Sequence, residues 1–203
     1  MNTIQILALA FGTAWTSGIN LYATVAALGL LQHYKLAALP GGLHVLDNWL
    51  IIGLALFLYL VEFFADKIPY VDTIWDAVHT FIRVPAGAVI AATATADINP
   101  AVQIVALLLG GGLALSTHGT KSTLRVGANL SPEPLTNWSL SVLEDVVAVG
   151  AVALAVFSPL AILAVIVVFL LVLVWILPKV WRRIRRMLKA AGDFFGGRAV
   201  AAP

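Results

Sequence analysis

The chain has 203 residues, of which 61% are apolar and only 11% charged, where a typical soluble domain has about 45–50% and about 25%. Too few polar side chains remain to cover a soluble surface, and the apolar residues fall in blocks close to the ~20 that a spanning helix needs. The absence of cysteine excludes disulfides, thiolate metal sites, Cys nucleophiles and iron–sulfur clusters.

The expected fold class is all-α: a polytopic integral membrane protein of about six transmembrane helices, some short or broken. The first apolar segment covers about 4–31. Met1 to Gln5 carries no Lys or Arg and the apolar stretch runs past Leu21, so it reads as a retained helix rather than a signal peptide. Within it, Thr16-Ser17-Gly18-Ile19-Asn20 places small and polar residues where a helix would break. The second segment is about 49–65. The third begins near Val71 as an amphipathic helix and continues through Pro85 to about Ala96. The fourth, about 100–115, leads into Ser116-Thr117-His118-Gly119-Thr120 just after Gly110-Gly111-Gly112, a second expected break. Interrupted helices expose backbone groups, which a bilayer tolerates only beside protein or water. Ser17, Gly18, Asn20, His118 and Gly119 are therefore candidate ligand-binding break positions; close helix packing through Gly, Ala, Ser and Thr is the plainer alternative.

The fifth and sixth segments cover about 138–157 and 160–177. A single helix over 146–177 would be about 48 Å long at ~1.5 Å per residue, more than a hydrocarbon core of about 30 Å. A hairpin turning at Ser158-Pro159 is expected instead, because proline disfavours helix at the residue before it. A single transmembrane domain over 1–190 and a flexible cytoplasmic tail over 191–203 complete the organisation.

The net charge of +2 hides an asymmetry: from Pro178 onward there are seven basic residues and one acid, against five and nine before it. A basic segment beside an apolar helix suits membrane lipids, anionic lipid in particular, rather than nucleic acid. The run Lys179, Arg182, Arg183, Arg185, Arg186, Lys189 sets the C-terminus in the cytoplasm. Six spans then bring the N-terminus there too, in a cell (inner) membrane, with Lys67, Lys121 and Arg125 inside and Lys35 outside. Val180, Ile184, Met187 and Leu188 share a helical face, which fits a helix on the inner leaflet or a plain stop-transfer signal. The sequence leaves a homo-oligomer open.

A shift of 100 aligns Leu7 with Leu107, Leu9 with Leu109, Gly12 with Gly112 and Thr16-Ser17 with Ser116-Thr117. Halves 1–97 and 98–178 with three spans each would be inverted, a mark of secondary transporters whose sites lie at helix breaks.

Residues 71–83 carry the strongest pattern. Val71, Ile74, Trp75, Val78 and Ile82 form one apolar stripe. Asp72, Asp76, His79 and Arg83 form another, with neighbours three and four residues apart. A helix inside the bilayer must turn the charged stripe toward protein or water; one lying along the interface would turn it toward cytosol. Glu62 and Asp66 close the second segment, Lys121 and Arg125 follow the fourth, and Glu144 and Asp145 lie early in the fifth. These ten residues are the candidate ion- or ligand-binding set. They read as a hydrated polar cavity for an ion, a proton or a polar head group, or as an ion-pair network that clamps helix ends. His33, His44, His79 and His118 lack metal-ligand spacing, and no G-x-S-x-G or phosphate loop occurs. No metal, cofactor or catalytic residue is expected, and the chain does not read as an enzyme; aspartate chemistry at Asp72 and Asp76 is the one enzymatic alternative.

The chain resembles a known family at these residues. The stretches are Glu62-Phe63-Phe64-Ala65-Asp66-Lys67-Ile68-Pro69-Tyr70-Val71-Asp72, then Asp76, Arg83-Val84-Pro85-Ala86-Gly87, Lys121-Ser122-Thr123-Leu124-Arg125, Asn129-Leu130-Ser131-Pro132 and Leu143-Glu144-Asp145. Together with the terminal apolar helix and its basic residues, they are similar to the conserved membrane domain of unknown function numbered 4126, over about 4–186. The resemblance implies a bacterial-type inner membrane protein and supplies no activity. The family usually has a basic side chain at the break in its first helix; here Ser17-Gly18-Ile19-Asn20 has none, so a pairing through that charge is absent or replaced. The leading functional expectation is a small transporter- or channel-like protein with the charged set in the cytoplasmic half of its bundle. The alternative is a non-transporting protein that organises or scrambles lipid, or scaffolds an assembly.

Overall fold

The structure is a computed structural model that describes residues 1–129 and 134–195. The described residues are helical, with no strand among them. In chain order they form α1 (Thr3–Ile19), α2 (Leu21–His33), a 3-10 helix (Gly41–Asp47), α3 (Trp49–Ala65), α4 (Val71–Ala94), α5 (Pro100–Asn129), α6 (Pro134–Phe157) and α7 (Pro159–Phe195). Where a single domain over 1–190 is expected, the chain divides into two compact units, Met1–Leu163 and Ala164–Pro203.

The first apolar segment is interrupted, but at one residue rather than across the Ser-Gly pair. Thr16 and Ser17 return their hydroxyls to the carbonyls of Thr13 and Ala14, at 3.0 and 2.7 Å, so polar side chains are satisfied without leaving the helix. Asn20 is the residue that leaves it, with extended backbone. Its side chain accepts from the Ala23 amide at 2.9 Å, which starts α2 in the manner of an N-cap. Ser17 and Gly18 are therefore helical, and only Asn20 is a break position.

The second expected break does not occur: α5 runs unbroken through His118 and Gly119 to Asn129. Ser116, Thr117, Thr120 and Thr123 each donate to the carbonyl four residues back, at 2.7–3.1 Å. Such back-bonding lets hydroxyl residues sit inside a helix. The fourth segment is thus longer than 100–115, and Lys121 and Arg125, expected in a loop, are helical. The paired breaks expected of two repeated halves are present only in the first.

Helices α3 and α4 begin where expected. Asn48 caps α3 by accepting from the Leu50 amide, and α4 passes Pro85 without interruption. Between them the chain turns through Tyr70, a non-glycine residue at φ 68°. The chain also breaks at Ser158, with Pro159 opening α7, where proline's missing N–H costs nothing. Helix α7 continues through 191–195, the start of the expected flexible tail; residues 196–203, the Leu130-Ser131-Pro132 stretch and the side chains of Ile184 and Met187 lie outside the described residues.

In the first unit α1 is central: it packs on α4, α5 and α6, while α4 lies along α5 and α2 contacts α3 and α6. Small residues allow the close approach. A Cβ at Gly87 would stand 2.5 Å from Ala114 Cβ and 2.8 Å from Ser17 Oγ, and one at Gly110 would stand 2.5 Å from Ala91 Cβ. Four described helices are long and apolar enough to cross a membrane: α4, α5, α6 from Leu135, and α7 over Pro159–Arg183. A fifth is reached if α3 and the preceding 3-10 helix, bent by 77°, count as one span. Helices α1 and α2 are individually shorter.

Candidate functional site

Helix α4 decides how the charged residues are presented. Asp72, Asp76, His79 and Arg83 are all buried, while Ile74 is 67% and Phe81 82% exposed, with Val71, Val78 and Ile82 also outward. The helix is inside-out relative to one on a water-soluble protein: its charged stripe meets protein and its apolar stripe faces outward. That is the arrangement a hydrocarbon environment imposes, and it turns the charged stripe toward protein rather than toward cytosol.

Four carboxylates and three cations then interlock. Arg83 donates to Glu62 Oε1 at 2.7 Å and to Asp76 Oδ1 at 3.1 Å. Lys121 Nζ lies 2.9 Å from Asp66 Oδ2, 3.2 Å from Glu62 Oε1, 3.6 Å from Glu144 Oε2 and 3.8 Å from Asp76 Oδ1. Arg125 donates to Asp66 Oδ2 at 3.0 Å and to the Asp66 carbonyl at 2.5 Å. It also takes Glu144 in a two-pronged pairing through Nε and Nη2. Glu62, Arg83 and Arg125 are fully buried. The (i, i+4) spacings supply this geometry: Glu62 and Asp66 leave the end of α3 on one side, and Lys121 and Arg125 meet them from one face of α5.

The remaining expected members sit around this core without joining its ion pairs. Asp72 is held by Asn129, whose Nδ2 donates to both its oxygens at 2.8 and 3.1 Å. Asn137 in turn donates to Asn129 Oδ1 at 2.6 Å. Asp145 accepts from Asn20 Nδ2 at 3.0 Å. His79 donates from Nδ1 to the Trp75 carbonyl at 2.7 Å, which leaves Nε2 to accept from the Tyr22 hydroxyl at 3.0 Å. The Trp75 ring stacks on it at 4.2 Å.

His118, expected only as a break residue, belongs to the network. Arg83 Nη1 donates to its Nδ1 at 3.0 Å, so Nε2 carries the hydrogen toward the Asp76 carbonyl at 3.0 Å and Thr80 Oγ1 at 2.8 Å. Its signal was present in the sequence as the four-residue periodicity of α5, which puts it one turn before Lys121 and Ser122. Gly119 is not part of the site; it sits on open surface. Asn20, by contrast, does reach it. Tyr22, Asn129, Asn137 and Ser141 carry polar contacts that no charge pattern could reveal.

Lys67 lies just outside α3, its ammonium 3.0 Å from the Phe63 ring centre and 3.2 Å from Ser141 Oγ. Burial lowers its proton affinity below the ordinary lysine value. Among the described residues, no group of three or more His, Asp or Glu side chains is placed to hold a metal ion. Two grooves open on the surface away from the network, one lined by Thr123, Gly127, Ser139 and Leu143, the other by Gln5, Leu9, Leu39 and Phe157. The network itself is closed by direct contacts rather than spread around a chamber. It still has loose ends: Glu62 Oε2 and Asp66 Oδ1 are buried acceptors with no hydrogen-bond partner, an arrangement that ordinarily calls for a bound proton, water or ion.

The family model described as Domain of unknown function (DUF4126) matches residues 7–179. The match takes in α3 to α6 and all the charged residues above, and the chain belongs to this family. No curated protein and no solved structure matches it.

Proposed function

We propose that this member of the family is a small membrane transporter or channel-like protein whose charged core binds and relays a proton or a small cation. The observation that carries the reading is the inward-facing charged stripe of α4, paired directly with α3 and α5 and, through Arg125 of α5, linked to α6. Ionisable side chains are costly at such a depth and mark ion or proton pathways. The sign of the charge narrows the cargo: four carboxylates face three cations, and the buried Asp72 and the partly buried Asp145 add to the acidic side. An anionic head group would meet net repulsion, whereas a proton or cation relieves it.

Purified protein in liposomes, under an imposed potassium diffusion potential, is expected to carry protons or a monovalent cation inward. Asp76→Asn and Glu144→Gln should abolish the flux while leaving thermal unfolding within a few degrees of wild type. Wild-type liposomes no leakier than empty ones would sink the reading. They would favour the alternative, a lipid-organising protein whose network is a clamp; the specific support for that is the direct pairing of all three cations.

For topology, we propose six crossings: α1 with α2 as one span broken at Asn20, the 3-10 helix with α3 as a second, then α4, α5, α6 and α7. Both termini would be cytoplasmic. The basic run after Pro178 and Lys67 support this orientation; Lys121 and Arg125, being buried, no longer count. The chain has no cysteine, so single cysteines report cleanly. Lys35→Cys in intact cells is expected to react with an impermeant maleimide and Lys189→Cys only after lysis; equal labelling of both would reject an even number of spans.

A further inference from the structure

We propose that Asp145 is the seat of a bound proton, and that Asn20 ties its occupancy to the interruption between α1 and α2. The inference rests on the cation or proton reading of the core and names where in that core the ion sits.

Asn20 makes four kinds of contact at once. Its backbone N–H bonds the Thr16 carbonyl at 3.0 Å and closes α1. Its side-chain oxygen caps α2 through the Ala23 amide. Its carbonyl takes both the amide and the hydroxyl of Thr24, at 3.1 and 2.8 Å. Its remaining group, Nδ2, donates to Asp145 Oδ1 at 3.0 Å. One residue therefore holds the broken helix and the carboxylate together, and it is 1% exposed. The same break presents the C-terminal end of α1, where the unpaired carbonyls and the negative end of the helix dipole favour positive charge.

Asp145 differs from the interlocked acids in having no cation within salt-bridge distance, among the described residues. Its Oδ2 is buried and meets no close donor; the donor that faces this carboxylate besides Asn20 is the Tyr59 hydroxyl. The groups that face it are Tyr59 and Glu62 of α3, Lys67 of the following turn, Lys121 of α5 and the uncharged Asn20; Glu144 adjoins it on α6. Glu62 is fully buried, and its Oε2 likewise has no donor. Its Oε1 is already shared by Arg83 and Lys121. Asp145 thus lies beside the core but outside its ion pairs, and it is partly open where Glu62 is not. A proton that reaches Oδ2 forms an O–H bond there and leaves by the same route, with no other bond broken. Neutralising Asp145 turns the Asn20 contact from a charge-assisted bond into a weaker neutral one, which loosens the first turn of α2. A metal ion would need more ligands than this site gathers.

Infrared spectra of the protein in phosphatidylcholine vesicles test the assignment. Wild type at neutral pH is expected to show a protonated-carboxyl C=O band that disappears at alkaline pH. Asp145→Asn should lack it and Glu62→Gln should keep it. In hydrogen–deuterium exchange at one fixed pH, residues 21–24 of Asp145→Asn should exchange several-fold faster than those of wild type near the alkaline end of the transition. A band that persists in Asp145→Asn, or no band in wild type, overturns the proposal, as does a melting temperature that rises with sodium in place of the band. The two readings fail separately. Flux without the band removes the proton seat and leaves transport standing; the band without flux removes transport and leaves the seat.

Discussion

Arg83→Met is expected to destabilise the protein more than any other single substitution in the core, by about 3–5 kcal/mol, the cost of breaking a buried pair from one side. Arg83 is fully buried and donates to Glu62, Asp76 and His118 together. Removing it leaves Glu62 and Asp76 to share Lys121 alone and leaves His118 Nδ1 without its donor. The direction of the imbalance makes the prediction sharper. The network has one more carboxylate than it has cations. Losing a cation widens that gap to two, whereas Glu62→Gln closes it. The amide also keeps an oxygen for Arg83 and an N–H₂ for the acceptors around it. Arg83→Met should therefore lower the unfolding midpoint in detergent far more than Glu62→Gln, and the double variant should recover part of the loss. Equal effects from the two single variants would show that the core does not hold an acidic surplus.

Much of this core was legible before any coordinates, because helical periodicity alone puts Asp72, Asp76, His79 and Arg83 on one line. Which way the line faces was not legible. An amphipathic stripe reads the same whether it meets cytosol or other helices, and only the packing of α4 on α1 and α5 turns it inward. The break in the first segment was visible as polar residues inside an apolar run, but its place was not. Serine and threonine can pair with their own helix's carbonyls, and asparagine is the side chain that caps the next helix instead. The same back-bonding hides the continuity of 116–120, where three hydroxyls satisfy themselves within α5 and the helix goes on. The role expected of His118 differs for that reason: in a break it would be a backbone feature, whereas in a helix it faces Arg83.

The largest effect away from the charges is expected at Gly87, one turn beyond Arg83. A single added carbon there would overlap Ala114 Cβ of α5 and press on Ser17 of α1, at the place where three helices meet. Neither obstacle is the end of a long flexible side chain, so the backbones themselves must move. Gly87→Leu should cost at least the ~1–3 kcal/mol typical of an overfilled core. Because α4 then tilts from α5, it should also uncouple Arg83 from His118. Gly112 and Gly119 are also helical glycines, of α5, but nothing lies within 4 Å of a Cβ at either. Alanine at those positions should be neutral or stabilising by up to ~1 kcal/mol, the helix propensity difference. If Gly87→Leu melts with wild type, α4 and α5 do not approach as closely as the ion pairs between them require. The charged core would then have to be held by something other than the packing of small residues.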